Sequence, residues 1–300
     1  VINDFILSID IGSKNTKLVL GKKYGKKLTI KKCINIKTPE NTFEDGNILD
    51  IKLITENIKK VLQTEGIKAK YGVCTIQSTS ILLKEVYLPV VSKSNLNKIL
   101  KYEINQQMNI SLKDYSIDYK ILDKVMLDGK CKYKVLVVAV LKSIIKNYLD
   151  LLNELKLKPL ALDTHFNCIL KIFSDREFKD KSVAVIDMGY NFFNVVILCN
   201  NKYEFSYMIK SVVKDINLLN DQNENLQNYI EKWSEDILRV FRYYIYKKAE
   251  NKIDCVFIHG GYSQVENIDH YMENTLDLPV YKENLDNMFY LNALGALIRK

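Results

Sequence analysis

Short apolar runs alternate with stretches of helical period from one end of the chain to the other, and no Pro/Gly/Ser-rich linker or low-complexity block interrupts them. That alternation predicts an α/β architecture. Ile6–Asp10 and Leu18–Leu20 read as two strands around a short polar loop, and Leu28–Lys31 as a third after the turn Gly21–Gly25. Ile51, Ile54, Ile58, Val61 and Leu62 recur at helical spacing and stop at Gly66, after which Tyr71–Ile76 resumes a strand pattern.

The second half repeats this opening. Val183–Asp187 is an apolar strand ending in Asp, Gly189 follows in a short loop, Val195–Cys199 resumes as a strand, and Tyr203–Tyr207 makes a third. The order strand, Asp-x-Gly, strand, turn, strand thus occurs at Asp10 and again at Asp187. It predicts a duplicated fold whose halves face one another across a cleft, with an aspartate on each wall.

Between the halves, from about Thr79 to Lys158, a segment has its own rhythm: strands Ile81–Leu88, Tyr115–Leu122 and Tyr133–Val140, a helix carrying Leu96, Ile99 and Leu100 that Ser94 is placed to cap, and the helix Ile144–Leu155. This is expected to be an inserted subdomain. Later, Leu226, Tyr229, Ile230, Trp233, Ile237, Val240, Phe241 and Tyr244 form an amphipathic stripe that reads as core packing. Tyr290 to Ile298 is a helix with small residues at Ala293, Gly295 and Ala296, suited to a close crossing at a hinge or to tight terminal packing.

Composition narrows the function classes. The 300 residues are 47% hydrophobic and 27% charged, enough to bury a sizeable core in two lobes. The net charge of +8 rests almost entirely on dispersed Lys, with Arg only at 176, 239, 242 and 299, which argues against nucleic-acid readout. The longest apolar run, Val135–Leu141, is seven residues, too short to span a bilayer. Six widely spaced cysteines without a CxxC pair read as reduced, mostly buried thiols of a cytosolic protein, and three histidines without ligand spacing disfavour zinc.

Three loops carry candidate chemistry. In Asp10-Ile11-Gly12-Ser13-Lys14-Asn15-Thr16-Lys17, Gly12 lets backbone approach a ligand, amides with the Ser13 and Thr16 hydroxyls can grip phosphate, and Asp10 can hold Mg²⁺ directly or through water. Asp187-Met188-Gly189-Tyr190-Asn191 is its counterpart. Strand Cys255–Ile258 runs into His259-Gly260-Gly261, and Tyr262-Ser263 opens a helical pattern, a junction that lets a base or ribose lie on the backbone.

In this order the loops resemble the actin-like ATPase superfamily, and within it the PilM family of type IV pilus assembly. The similarity extends to Val73–Pro89, Tyr102-Glu103 followed by Asp114-Tyr115, Pro159–Asp163, Glu235–Tyr244 and Leu278-Pro279-Val280. The resemblance implies a duplicated ribonuclease H-like fold with an inserted subdomain of the kind shared by PilM and FtsA. Its subdomains would be 1–78 with 159–178 (1A), 79–158 (the insertion, 1C), 179–211 with 254–300 (2A), and a reduced 212–253 (2B).

The resemblance further implies ATP and Mg²⁺ between the lobes. Asp10 and Asp187 would be metal-binding and, with His165, catalytic; Gly12, Ser13, Asn15, Thr16, Lys17, Gly189, Tyr190, Asn191, Gly260, Gly261 and Tyr262 would bind the nucleotide. Phe193 stands where relatives usually carry a Thr hydroxyl, and His165 where they carry an acidic residue. The stretch Val212–Trp233 lacks their Ala-Glu-x-x-Lys helix, and Phe205–Ile209 runs on without their Gly-Gly turn. These departures imply slow or lost hydrolysis, because phosphoryl transfer depends on positioning.

The implied partner is the N-terminal cytosolic tail of a PilN-type membrane protein, docked as an extended peptide near Leu82, Lys84, Val86 and Tyr87. Other pilus platform proteins and a homo-oligomer are further partners the resemblance allows. It places the chain in the cytoplasm, at the inner face of the membrane through its partner. FtsA-like proteins end in a linker and an amphipathic anchoring helix, whereas this sequence stops at Arg299-Lys300, so membrane contact is expected to be indirect. The alternatives are an active actin-fold ATPase or kinase and an FtsA-like division protein.

Overall fold

The computed structural model describes residues 4–25, 27–107, 111, 113–174, 178–211, 223–282 and 288–299. The first lobe opens with β1 (Ile6–Ile11), β2 (Asn15–Tyr24) and β3 (Lys27–Lys37), a small hairpin of β4 (Phe43–Glu44) and β5 (Asn47–Ile48), then α1 (Ile51–Thr64) and β6 (Tyr71–Ile76). The insertion contributes β7 (Leu82–Pro89), α2 (Lys93–Gln107), β8 (Tyr115–Leu127) and β9 (Lys130–Leu141), and α3 (Lys142–Glu154), β10 (Lys158–Thr164) and α4 (His165–Phe173) follow. The second lobe runs through β11 (Ser182–Met188), β12 (Phe192–Cys199), β13 (Lys202–Lys210), α5 (Asn223–Lys247), β14 (Cys255–His259), α6 (Ile268–Leu276), β15 (Val280–Lys282) and α7 (Leu291–Leu297).

The two large sheets have one topology. Their orders are β10-β6-β1-β2-β3 and β13-β12-β11-β14-β15. In each, an antiparallel three-strand meander is extended by two strands parallel to its first. Strands buried on both faces read as continuous apolar runs, which is why Ile6–Ile11 and Ser182–Met188 are buried along their whole length. This is the duplicated ribonuclease H-like architecture, and the third sheet, β7-β9-β8, is the insertion.

The connecting helices exchange lobes. Helix α4 follows a first-lobe strand, yet Phe166, Ile169, Leu170 and Phe173 pack with Val183, Val185, Val196 and Phe257 of the second. Helix α7 follows a second-lobe strand, yet Ala293, Leu294, Ala296 and Leu297 pack with Ile6, Val19 and Val73 of the first. Where the two helices cross, a Cβ on Gly295 would lie 2.5 Å from the Cys168 carbonyl oxygen, so only glycine permits the approach. The small residues of α7 therefore serve a close helix crossing, a property shared by the hinge and the tight-packing readings.

Three boundaries differ from expectation. Helix α3, grouped with the insertion, packs through Ile144, Tyr148, Leu151 and Leu152 with Leu7, Ile9, Ile54 and Ile58 of the first lobe, because its apolar stripe completes that core. Helix α2 begins at Lys93, with Leu96 N–H bonding to Ser92 C=O at 2.8 Å, so Ser94 lies inside the helix instead of capping it. The β4–β5 hairpin gave no hydrophobic signal; it turns at Gly46, whose φ of +79° glycine adopts freely. Of the thiols, Cys131 is exposed and Cys33 and Cys199 are half-buried, fewer buried than expected.

The stripe on α5 is core as anticipated: Ile230, Trp233, Ile237, Val240, Phe241 and Tyr244 are buried under the second sheet. Residues 212–222 of the proposed reduced subdomain and the Leu226 side chain lie outside the described residues.

Candidate functional site between the lobes

Each aspartate reaches the cleft from the last turns of a buried strand. Asp10 on β1 pairs in register with Lys17 and Thr75, and Asp187 on β11 with Asn194 and His259. Both hairpins close identically, by Gly12 N–H to Asn15 C=O at 2.9 Å and Gly189 N–H to Phe192 C=O at 3.1 Å. The following strands return a further bond, from Thr38 N–H to Lys14 C=O (3.0 Å) and from Ser211 N–H to Asn191 C=O (2.8 Å).

His165, the first residue of α4, lies between the carboxylates. Its Nε2 is 2.9 Å from Asp10 Oδ1 and its Nδ1 3.2 Å from Asp187 Oδ2. Thr75 Oγ1 donates to Asp10 Oδ1 (2.7 Å), and Asn292 Nδ2, from α7, donates to Asp187 Oδ2 (2.7 Å). Lys17 Nζ is 3.8 Å from Asp10 Oδ2, and His259 Nδ1 is 3.7 Å from Asp187 Oδ1. Across the mouth of the cleft Asn191 Nδ2 donates to Ser13 Oγ (2.7 Å), and the Lys14 ammonium lies 5.2 Å from the centroid of the Tyr190 ring.

The charges follow from these contacts. Burial opposes ionisation of Asp10, but the charge and hydrogen bond of His165, with Lys17 and Thr75, outweigh it and hold the carboxyl down at about 2. Asp187 is likewise lowered: burial opposes, and His259, His165 and Lys17 prevail. Burial also opposes the charge on His165, but the two aspartates reverse the balance and raise it to about 9. His259 goes the other way, lowered to about 4 by burial, with the attraction of Asp187 insufficient to compensate.

A cavity of about 310 Å³ opens beside this cluster. Of the expected nucleotide residues, Gly12, Ser13, Asn15, Lys17, Gly189, Tyr190, Gly261 and Tyr262 line it together with Asp10, His165 and Asp187. Three do not. The Thr16 hydroxyl turns away to Thr38 Oγ1 (2.9 Å), because along β2 it alternates with Asn15 and Lys17, which line the cavity. Asn191 is engaged by Ser13. Gly260 sits under the carboxylate with φ of +96°, where a Cβ would be 2.5 Å from Asp187 Oδ1; it makes room for the aspartate and contributes no wall. Thr75, Asn292 and Lys14 were missed as site residues. Asn292 was hidden in a helix read as packing, and Thr75 in an apolar strand.

A model of the family described as type IV pilus assembly protein PilM matches residues 8–208. The chain belongs to the PilM family. Among solved structures, the chain is similar to one titled "PilM-PilN type IV pilus biogenesis complex" (15% identity, 97% of each chain covered, TM-score 0.82). It also resembles ethanolamine utilization protein EutJ from Carboxydothermus hydrogenoformans (11% identity, 99% and 90% covered, TM-score 0.58). A third similar structure is the activator of 2-hydroxyisocaproyl-CoA dehydratase from Clostridium difficile with bound ADPNP (11% identity, 98% and 92% covered, TM-score 0.51). At these identities the likenesses establish the actin-like ATPase fold.

The residues of this PilM-family chain do not fit the Mg²⁺ that the fold implies. An imidazole lies between the two carboxylates that would hold it, and among the described residues no group of three His, Cys, Asp or Glu side chains is arranged to hold a metal ion. Phe193, in place of the hydroxyl, is buried against Trp233 and Tyr262, with ring centroids 5.3 and 6.0 Å away.

The expected partner residues do not form one surface. Val86 is 3% exposed and packs with Leu88, Leu96 and Leu100 in the insertion core, so it is unable to contact a partner; alternation along β7 separates it from exposed Tyr87. Lys84 is exposed and Leu82 half-buried.

Proposed function

We propose that the chain is a scaffold of the type IV pilus assembly platform that captures the cytosolic N-terminal tail of a PilN-type membrane protein. The observation that carries this reading is a groove of about 800 Å³ where the insertion, the first lobe and the β12–β13 turn of the second lobe meet, with an apolar floor of Ile76, Leu136, Val138, Leu162 and Phe166 and Ile121 at its rim. Its rim strand, β8, is an edge of the inserted sheet, so an extended peptide has main-chain groups to pair with and an apolar floor for alternate side chains. Such a partner would hold the chain at the inner face of the membrane; among the described residues no helix is long and apolar enough to cross one. Other platform proteins and self-association belong to the same reading.

Nucleotide has a secondary place in it. Lys14 and Lys17 face the interlobe cavity and suit a phosphate, but Ser13 is engaged across the cleft and the Thr16 hydroxyl is turned away, so turnover is slow or absent. A sustained Mg²⁺-dependent ATPase rate that collapses in Asp187→Ala would replace the scaffold by the enzyme.

The docking test is a fluorescence-anisotropy titration of a synthetic tail peptide from the PilN-type protein encoded by the same cell. Saturable binding is expected, weakened about tenfold or more by Ile121→Asp. Ile121 is 42% exposed, so the substitution leaves the core intact. No saturable binding to the unaltered protein removes the reading.

A further inference from the structure

The His165 ring has only two nitrogens, and each faces a carboxylate oxygen from a different lobe, at 2.9 and 3.2 Å. A protonated ring donates to both carboxylates; a neutral ring donates to one and accepts the second Asn292 hydrogen, and in either form it links the two walls. Asn292 Nδ2 donates to Asp187 Oδ2 at 2.7 Å and lies 3.1 Å from His165 Nδ1, and Thr75 gives its hydrogen to Asp10. The Lys17 ammonium stands off at 3.8 Å, and its attraction alone joins nothing across the cleft.

The location matters as much as the contacts. Asp10 ends a first-lobe strand, Asp187 the equivalent second-lobe strand, and His165 begins the helix that leaves one lobe to pack on the other. We propose that the His165 side chain joins the two lobes through its contacts with Asp10 and Asp187, in the position where this fold otherwise calls for a divalent metal, so that the chain closes without one. The lobes of this chain are then held together by its own sequence, a property useful to a scaffold and independent of whether the tail-binding reading holds.

The experiment is thermal melting of the full chain with EDTA, with Mg²⁺ alone, and with free imidazole, for the unaltered protein and for His165→Ala. The unaltered protein is expected to melt at the same temperature with EDTA or Mg²⁺. His165→Ala leaves two buried carboxylates facing a vacated space; its Tm falls on the order of 10 °C and recovers in part with either Mg²⁺ or imidazole. His165→Gln, which keeps a donor but no charge, gives a second measure of the same loss if the alanine variant does not fold. A saturable rise in Tm of the unaltered protein with Mg²⁺ overturns the proposal. So does a His165→Ala protein that melts with the unaltered one, or whose fall neither cation reverses.

Discussion

Superposing the register of the two hairpins aligns Asp10 with Asp187, Gly12 with Gly189, Lys14 with Asn191, Thr16 with Phe193 and Thr38 with Ser211, since each pair occupies the same strand partner or turn bond. The backbone is repeated and the contents are not. In the first lobe the Thr16 and Thr38 hydroxyls bond each other, and Thr38 continues to Gly12 C=O (2.8 Å). In the second, Phe193 replaces Thr16, and the Ser211 hydroxyl is buried with no partner among the described residues. The ring's compensation is apolar: it joins Trp233 and Tyr262 in an aromatic cluster. Beside the aspartates the same asymmetry recurs, with Thr75 supporting Asp10 at hydrogen-bond distance and His259 standing 3.7 Å from Asp187. A topology can thus be duplicated while a hydroxyl pair is kept behind one hairpin and exchanged for aromatic packing behind the other.

The most disruptive way to test that exchange is Phe193→Thr, which makes the second hairpin read like the first. The orphaned Ser211 gains a partner worth about 1 kcal/mol, but emptying a buried aromatic site costs about 3–5 kcal/mol, so urea unfolding is expected to show a net loss near 3 kcal/mol. Unchanged stability would mean the aromatic cluster contributes little.

A comparable effect is expected from pH, because the two buried histidines are shifted in opposite directions. His165 is raised from 6.5 to about 9, so its contribution is complete below 6.5 and is lost as pH rises through 9. His259 is lowered from 6.5 to about 4, so its contribution is complete above 6.5 and is lost as pH falls through 4. Melting temperature should therefore peak near pH 6.5, with His165→Gln flattening the alkaline arm and His259→Gln the acid arm. The carboxylates add a further loss only at more acid pH, with Asp10 held at about 2. The alkaline arm is on the order of 3 kcal/mol; a flat profile between pH 6 and 10 would show that His165 is not charged in the fold.

The smallest effect concerns the bridge between the hairpins. Asn191→Ala removes the bond to Ser13 and should cost about 0.5–1 kcal/mol by the same unfolding measurement, since both residues are only half-buried. It also frees the Ser13 hydroxyl for the cavity, so any weak affinity for phosphate should rise; a fall would place Asn191 itself on the ligand.

Much of the fold was legible because strand periodicity and the two Asp-x-Gly loops are local signals. Asp10, Asp187 and most of the loop residues lining the cavity could be named from them. Residues whose role depends on an approach between distant segments were not legible in the same way. Asn292 is 105 residues from the aspartate it supports, and Thr16, between Asn15 and Lys17 that line the cavity, faces away through strand alternation. Among the expected partner residues only Val86 is buried: alternation along β7 turns it inward while exposing Tyr87, and that alternation takes its sense only once the sheet has an inner face.

By itself the sequence determined the repeated α/β plan, the paired acidic hairpins and the family, since each depends on residue type and spacing along a short stretch. Tertiary structure decided that His165 stands between the aspartates, that α3 belongs to the first lobe, and that the apolar groove lies beneath β8. Those outcomes depend on which faces meet when helices exchange lobes, and a buried charge acquires its state only from the partners that the packing brings to it.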